Sequence, residues 1–167
     1  MALTQVPNEL LEIGVKAFGT SSFMIGDTTT GTIDAANYNT GVGVDVFESL
    51  STGDRNTAIG FASMDANTTG SDNTAIGNGS LGGNTTASCN VAVGSSALTT
   101  NTEGANNVGV GCDALVLNTT GSYNTAVGTS ALAANTTAEE NTAIGYEALN
   151  DNTTGNKNTA VGFRALD

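Results

Sequence analysis

The sequence predicts an all-β protein, a parallel β-solenoid (β-roll) in which each coil is one 17-residue repeat. Two regularities support this fold class. An Asn recurs every 17 residues from residue 39 to residue 158, and a Gly follows four residues after each Asn. Short apolar segments separate these polar corners, and no long stretch has the 3.6-residue periodicity of an amphipathic helix. A fixed period of this length is the sequence signature of a solenoid.

Residues 1–21 form the one non-repetitive segment. Pro7 to Ile13 can form one or two helical turns, with Asn8 as the N-cap. Two functions stay open for the segment: an attachment segment for a partner protein, or a cap over the first coil. The N-terminus also lacks a basic region followed by an apolar stretch, so we do not expect a secretory signal.

Residues 22–167 form the predicted solenoid, with eight complete repeats (22–157) and a partial ninth. We number the coils 1 to 9 from Ser22, and the positions of each repeat 1 to 17. The consensus is Asn-Thr-Ala-Val-Gly-x-x-Ala-Leu-x-x-Asn-Thr-Thr-Gly-x-x. Position 5 is a corner glycine in every repeat: Gly26, Gly43, Gly60, Gly77, Gly94, Gly111, Gly128, Gly145 and Gly162. Gly at a fixed corner supplies a positive φ at low energetic cost.

Two rows of Asn are predicted to stack along the axis as hydrogen-bonded ladders. The position 1 ladder contains Asn39, Asn56, Asn73, Asn90, Asn107, Asn124, Asn141 and Asn158. The position 12 ladder contains Asn67, Asn84, Asn101, Asn118, Asn135 and Asn152. Five of the latter begin Asn-Thr-Thr sequons, but the repeat itself explains these residues, and we do not expect glycosylation.

Position 4 is always Val or Ile, and position 9 is large and apolar from the second repeat on. We expect two short strands per coil, each paired with the same strand of the next coil, in a rod of roughly 40 Å at about 4.8 Å per coil. Neighbouring residues of a strand face opposite ways. We favour Val and Leu inside the coil, with Ala outside allowing close approach between chains, although the sequence leaves this open. So thin a core predicts that more than one chain assembles.

Composition excludes several classes of function. The chain has a formal net charge of −12 and only four Lys and Arg residues, whereas nucleic-acid binding needs a basic stripe. No apolar run is long enough for membrane insertion. There is no His and no arrangement typical of a nucleophile with its base. We therefore expect no enzyme activity, no catalytic residues, no metal site and no cofactor.

A few variable positions are candidates for surface contacts. The aromatic residues at position 6, Phe61, Tyr146 and Phe163, are candidate contacts for a host-surface glycan or protein, or for a neighbouring chain. Cys89 and Cys112 lie at different positions of different coils, too far apart for a disulfide. We expect two free thiols.

The segment Asn-Thr-Ala-Ile-Gly-Tyr-Glu-Ala-Leu (141–149) and its relatives resemble the head repeats of trimeric autotransporter adhesins. That resemblance implies a parallel β-roll and a threefold assembly. The Met-Ala-Leu-Thr start, the short leader and the Asn-Thr-Ala-Val-Gly repeats also resemble bacteriophage tail-fibre and related virion proteins.

This second resemblance implies a structural shaft in the phage tail. Residues 1–21 would then attach to a virion tail protein, and the shaft would give reach and host adhesion. The alternative is a bacterial surface adhesin or a self-assembling filament, located outside the cell or on its surface.

Overall fold

The computed structural model describes residues 14–18, 22–26 and 35–167, and within these residues the chain is an all-β solenoid. The ten strands are β1 (Gly14–Phe18), β2 (Ser22–Gly26), β3 (Thr40–Gly43), β4 (Thr57–Ile59), β5 (Thr74–Ile76), β6 (Val91–Val93), β7 (Val108–Val110), β8 (Thr125–Val127), β9 (Thr142–Ile144) and β10 (Thr159–Val161). They form one sheet in sequence order. The predicted parallel β-solenoid is confirmed.

Every parallel pair from β2 to β10 has a register of 17 residues. Thr57 pairs with Thr74, Ala58 with Ala75 and Ile59 with Ile76, and the later pairs repeat this alignment. Because the register equals the repeat, each position of the consensus forms a straight row along the axis. Residues at the same position of different repeats therefore have similar surroundings, and the residue types found in a row indicate what that position requires.

Strand β1 pairs antiparallel with β2, from Gly14 opposite Gly26 to Phe18 opposite Ser22. It thus covers the free edge of the first coil strand, as a solenoid cap does. The helical turns predicted over residues 7–13 lie outside the described residues.

The prediction of two strands per coil is wrong: each coil within residues 35–167 contains one. Positions 6–11 form a series of turns, since positions 7 and 9 both have positive φ, for example Ser96 at 57° and Leu98 at 53°. These turns still bond to the neighbouring coil, and the Leu98 N–H donates to the Ala114 carbonyl at 3.0 Å. The backbone is satisfied without extended geometry.

The orientation that we favoured for the strand, with Val inside the coil and Ala outside, is also wrong. Ala at position 3 faces the interior, where Ala75 and Ala126 are fully buried, and Val or Ile at position 4 faces outward. Position 9 is inside as expected, and Ala at position 8 is inside too. The interior is narrow: in coil 6 the Gly109 Cα already lies so close to Leu98 that an added Cβ would be 3.3 Å from that side chain. A large residue at position 9 fills this space in coils 2 to 8, where position 3 is Ala or Gly, whereas coil 1 has the buried Met24 at position 3.

Candidate functional surfaces

The corner glycines have a steric role. All nine have φ between 132° and 144°, a region that residues with a Cβ avoid. A Cβ on Gly94 would also lie 2.4 Å from the carbonyl oxygen of Gly111 in the next coil. The row therefore permits close stacking of coils at this corner.

The Asn residues at position 1 form a buried ladder. The backbone N–H of Asn107 donates to Oδ1 of Asn90 in the preceding coil at 2.9 Å, and its own Nδ2 donates to the Gly121 carbonyl at 2.8 Å. The same pattern recurs along the row. Asn141 is an exception, because its buried Nδ2 has no acceptor. At this corner the chain leaves one coil and enters the strand of the next. Here the Asn side chains take the place of a backbone hydrogen bond between neighbouring coils.

The Asn residues at position 12 form a second ladder, amide to amide. Asn118 Nδ2 donates to Oδ1 of Asn101 at 2.7 Å and to the Gly121 carbonyl at 2.9 Å. Asn107 and Asn118 thus both donate to the same carbonyl, which joins two corners of one coil. Four of the five sequon residues, Asn67, Asn84, Asn118 and Asn135, are buried and Asn152 is half-buried. The side-chain amide of each donates to a carbonyl of its own coil.

The outward face of the sheet, which we call the outer stripe, consists of positions 2 and 4 in coils 2 to 9. Position 2 contains Thr40, Thr57, Thr74, Val91, Val108, Thr125, Thr142 and Thr159, and position 4 contains Val42, Ile59, Ile76, Val93, Val110, Val127, Ile144 and Val161. Ile76 is 38% exposed and Ile144 is 42% exposed. The strict choice of Val or Ile at position 4, which resembles a core signal, thus belongs to the surface.

The predicted aromatic contacts at position 6 are exposed, and two of them meet. Tyr146 and Phe163 in coils 8 and 9 stack with their ring centroids 5.3 Å apart and their planes 10° apart. Phe61 is exposed in coil 3, five coils away from Tyr146. Two exposed tyrosines at position 17, Tyr38 and Tyr123, were not among the predicted contacts; as single rings in a variable row they gave no periodic signal.

Ion pairs join neighbouring coils on the charged side of the molecule. Arg55 donates to both carboxylate oxygens of Asp72, at 2.6 and 2.8 Å, and this hydrogen bonding lowers the pKa of Asp72. Arg164 contacts Glu147 at 3.1 Å. Both pairs are exposed, so each stabilises the fold little. The side chains of these two ion pairs are at positions 17 and 7, outside the outer stripe.

A shallow groove lies where coil 4 has two glycines at its corner, Gly82 and Gly83. Asp65 lies at one side and Thr99 and Thr100 lie at the other. Burial raises the pKa of Asp65, whose Oδ1 accepts a hydrogen bond from the Ala66 N–H at 2.9 Å. The groove thus contains a single carboxyl group, whereas glycoside hydrolysis uses a pair.

The two cysteines are free and exposed. Cys112 Sγ donates a hydrogen bond to Asp113 Oδ2 at 3.4 Å, and this bond raises the pKa of the Cys112 thiol. Among the described residues, no group of three or more Cys, Asp and Glu side chains is placed to hold a metal ion. No helix in this part of the chain is long and apolar enough to cross a membrane.

Comparison with protein-family models, curated proteins and solved structures gives no match to this chain.

Proposed function

We propose that the chain is a structural shaft protein of a phage tail fibre, which provides rigid reach and assembles as a homotrimer. The observation that carries this proposal is the unbroken bonding between coils. Strand pairing on one side, the turn ladder on another and two Asn rows at the corners link each coil to the next. Such a molecule resists bending, because any bend must break hydrogen bonds on the outside of the curve.

The side chains support a mechanical role in the same way. Interior positions contain Ala, Leu and bonded Asn, and side-chain oxygens reinforce the coil contacts. Thr102 Oγ1, for example, donates to the Thr119 carbonyl at 3.2 Å, and Ser122 Oγ accepts from the Ala105 N–H at 3.0 Å. Most conserved positions of the repeat are therefore explained by stacking alone. The exceptions are positions 2 and 4, which face outward.

Immunogold electron microscopy of virions from the encoding phage tests the location. An antibody against residues 35–167 is expected to label the tail, and an unlabelled virion population would refute the virion assignment. A second sample with residues 1–13 deleted tests the attachment role and keeps β1 paired with β2. The shaft should then be lost from virions while still folding in solution.

A second candidate function, adhesion, is favoured by the Tyr146–Phe163 stack. Exposed aromatic faces bind the apolar faces of sugar rings, and Tyr146 adds a hydroxyl group for hydrogen bonding. Binding of the purified chain to a glycan array tests this function. Tyr146→Ala with Phe163→Ala should abolish binding, whereas Phe61→Ala, which removes an unstacked ring of the same row, should not. Binding that survives the double substitution would exclude the stack as the receptor site.

A further inference from the structure

We infer that the outer stripe is the surface on which a second copy of this chain docks. The inference deepens the self-assembly part of the proposed function and does not depend on location in a virion. It also reverses the expectation that Ala would lie between chains, since the Ala residues at position 3, and those at position 8 in coils 5 to 8, are buried inside the coil.

The first argument is the exclusion of charge. Charged residues make up 12% of the chain, yet none occupies position 2, 4 or 6 in coils 2 to 9. The net charge of −12 makes copies of the chain repel one another. A face that contains no acids keeps this repulsion smallest at the contact, and the outer stripe is such a face.

The second argument is the apolar character of the row at position 4. Ile59, Ile76 and Val127 are each 37–38% exposed, and their neighbours above and below in the row are also Val or Ile. Sheet pairing aligns these side chains in one continuous line along the axis. A mechanical role for a single chain would be served equally by Thr or Lys here, so a requirement for Val or Ile on the surface points to contact with apolar atoms.

The third argument is area. Eight coils at about 4.8 Å each, and a face of roughly 10–15 Å across the strand, give roughly 500 Å² per chain. Two apposed copies then bury roughly 1,000 Å², about the lower limit of a specific protein–protein interface. Every coil from 2 to 9 has Thr or Val at position 2 and Val or Ile at position 4, so the whole length contributes to one contact.

Two matched double variants test the inference. Ile76→Lys with Val127→Lys places two charges on the outer stripe. Thr86→Lys with Thr137→Lys makes the same charge change in the same two coils at exposed position 14. The mass of each variant and of the wild-type chain is measured by sedimentation equilibrium, and circular dichroism with thermal melting reports folding.

The expected result is a multiple of 16.6 kDa for the wild-type chain and the position 14 variant, and a folded monomer for the stripe variant. An unchanged mass of the stripe variant would overturn the docking surface while leaving self-assembly intact. A monomeric wild-type chain would overturn both this inference and the homotrimer. If the stripe variant does not fold, the single Ile76→Thr variant replaces it. Its mass is compared with that of the wild-type chain at the lowest protein concentration at which the wild-type chain still associates, and equal masses overturn the inference.

Discussion

The requirements on single residues follow from the backbone angle that each row must adopt. Positions 7, 9 and 17 have positive φ in all eight coils from Tyr38 to Leu166. An L-residue with such an angle costs roughly 1–2 kcal/mol, and a β-branched residue costs more. Between Tyr38 and Leu166 these three rows contain no Val, Ile or Thr, although these residue types are abundant in the other rows. The residue choice at position 9 therefore combines burial with tolerance of the left-handed conformation.

The corner glycine gives the first prediction. Gly94→Ala places a Cβ 2.4 Å from the Gly111 oxygen, at φ 138°, and we expect a loss of at least about 2 kcal/mol in the free energy of unfolding. Gly79→Ala is the matched control, since Gly79 has φ 62°, an added Cβ meets nothing closer than 4.0 Å, and the same position is Ala62 in the previous coil. Urea unfolding measures both. Equal stability of the two variants would contradict the corner role.

The interior Leu row gives the second prediction. Leu115 is fully buried and Leu117, two residues later, is 49% exposed. Leu115→Ala should lower the free energy of unfolding by about 2–5 kcal/mol, because it leaves a cavity in a core with one large side chain per coil. Leu117→Ala should change it by less than about 0.5 kcal/mol. A larger effect at Leu117 would show that the turn segment faces the opposite way.

At the scale of the element, the Asn ladders replace part of the hydrophobic core. Apart from Asn141, whose Nδ2 has no acceptor, each buried amide donates to a carbonyl of its own coil and also bonds to an Asn of a neighbouring coil, as Asn118 does with Gly121 and Asn101. A buried polar group without a partner costs about 1–3 kcal/mol. The ladder therefore stabilises the fold only while every member is present, and it fixes the coil register to whole repeats.

The third prediction tests the ladder. Asn118→Ala removes the donor to Asn101 Oδ1. It also removes one of the two acceptors of Asn135 Nδ2, Asn118 Oδ1 at 2.8 Å, and leaves only the Ala138 carbonyl at 3.1 Å. We expect a loss of about 2–4 kcal/mol in the free energy of unfolding, measured by urea titration. Thr120→Ala, two residues away and exposed, should be close to neutral. A neutral Asn118→Ala would mean that water satisfies these groups and that the row is not a closed ladder.

The 17-residue period predicted most features of the coil, but it did not predict which side chains of the strand face the interior. An invariant Gly and an invariant Asn at fixed spacing determine corners and register, so the coil, the glycine angles and both Asn rows were accessible from the sequence. Val at position 4 and Ala at position 3 alternate in every strand, so periodicity alone gives two equal orientations. The narrowness of the coil decides between them. One feature of the sequence indicated that the second strand would not form: in coils 2 to 9, positions 7 and 9 contain no β-branched residue.

At the scale of the whole molecule, the separation of charge from the outer stripe is the feature with functional weight. Acids and their partner bases lie at positions such as 7, 10, 16 and 17, while the outward sheet face contains only Thr, Val and Ile in coils 2 to 9. Net repulsion and a single uncharged face favour one mode of association over all others. Under the proposed function, a shaft built in this way would gain thickness by adding copies side by side, with polar surface on the remaining sides.

Ionic strength gives a fourth prediction at this scale. Because the copies repel through their acids and attract through an apolar face, salt should tighten association. Raising the salt concentration from about 10 mM to 150 mM shortens the Debye length from about 30 Å to 8 Å. We expect the dissociation constant from sedimentation to fall over this range. A rise would indicate that ion pairs, rather than the outer stripe, join the chains.

The mass of the wild-type chain in solution tests the central claim most directly. Light scattering coupled to size exclusion, over a series of protein concentrations, distinguishes the possible assemblies. We predict one discrete species of three times the 16.6 kDa chain. A clean 16.6 kDa monomer at every concentration would contradict the assembly of this solenoid into a multi-chain shaft.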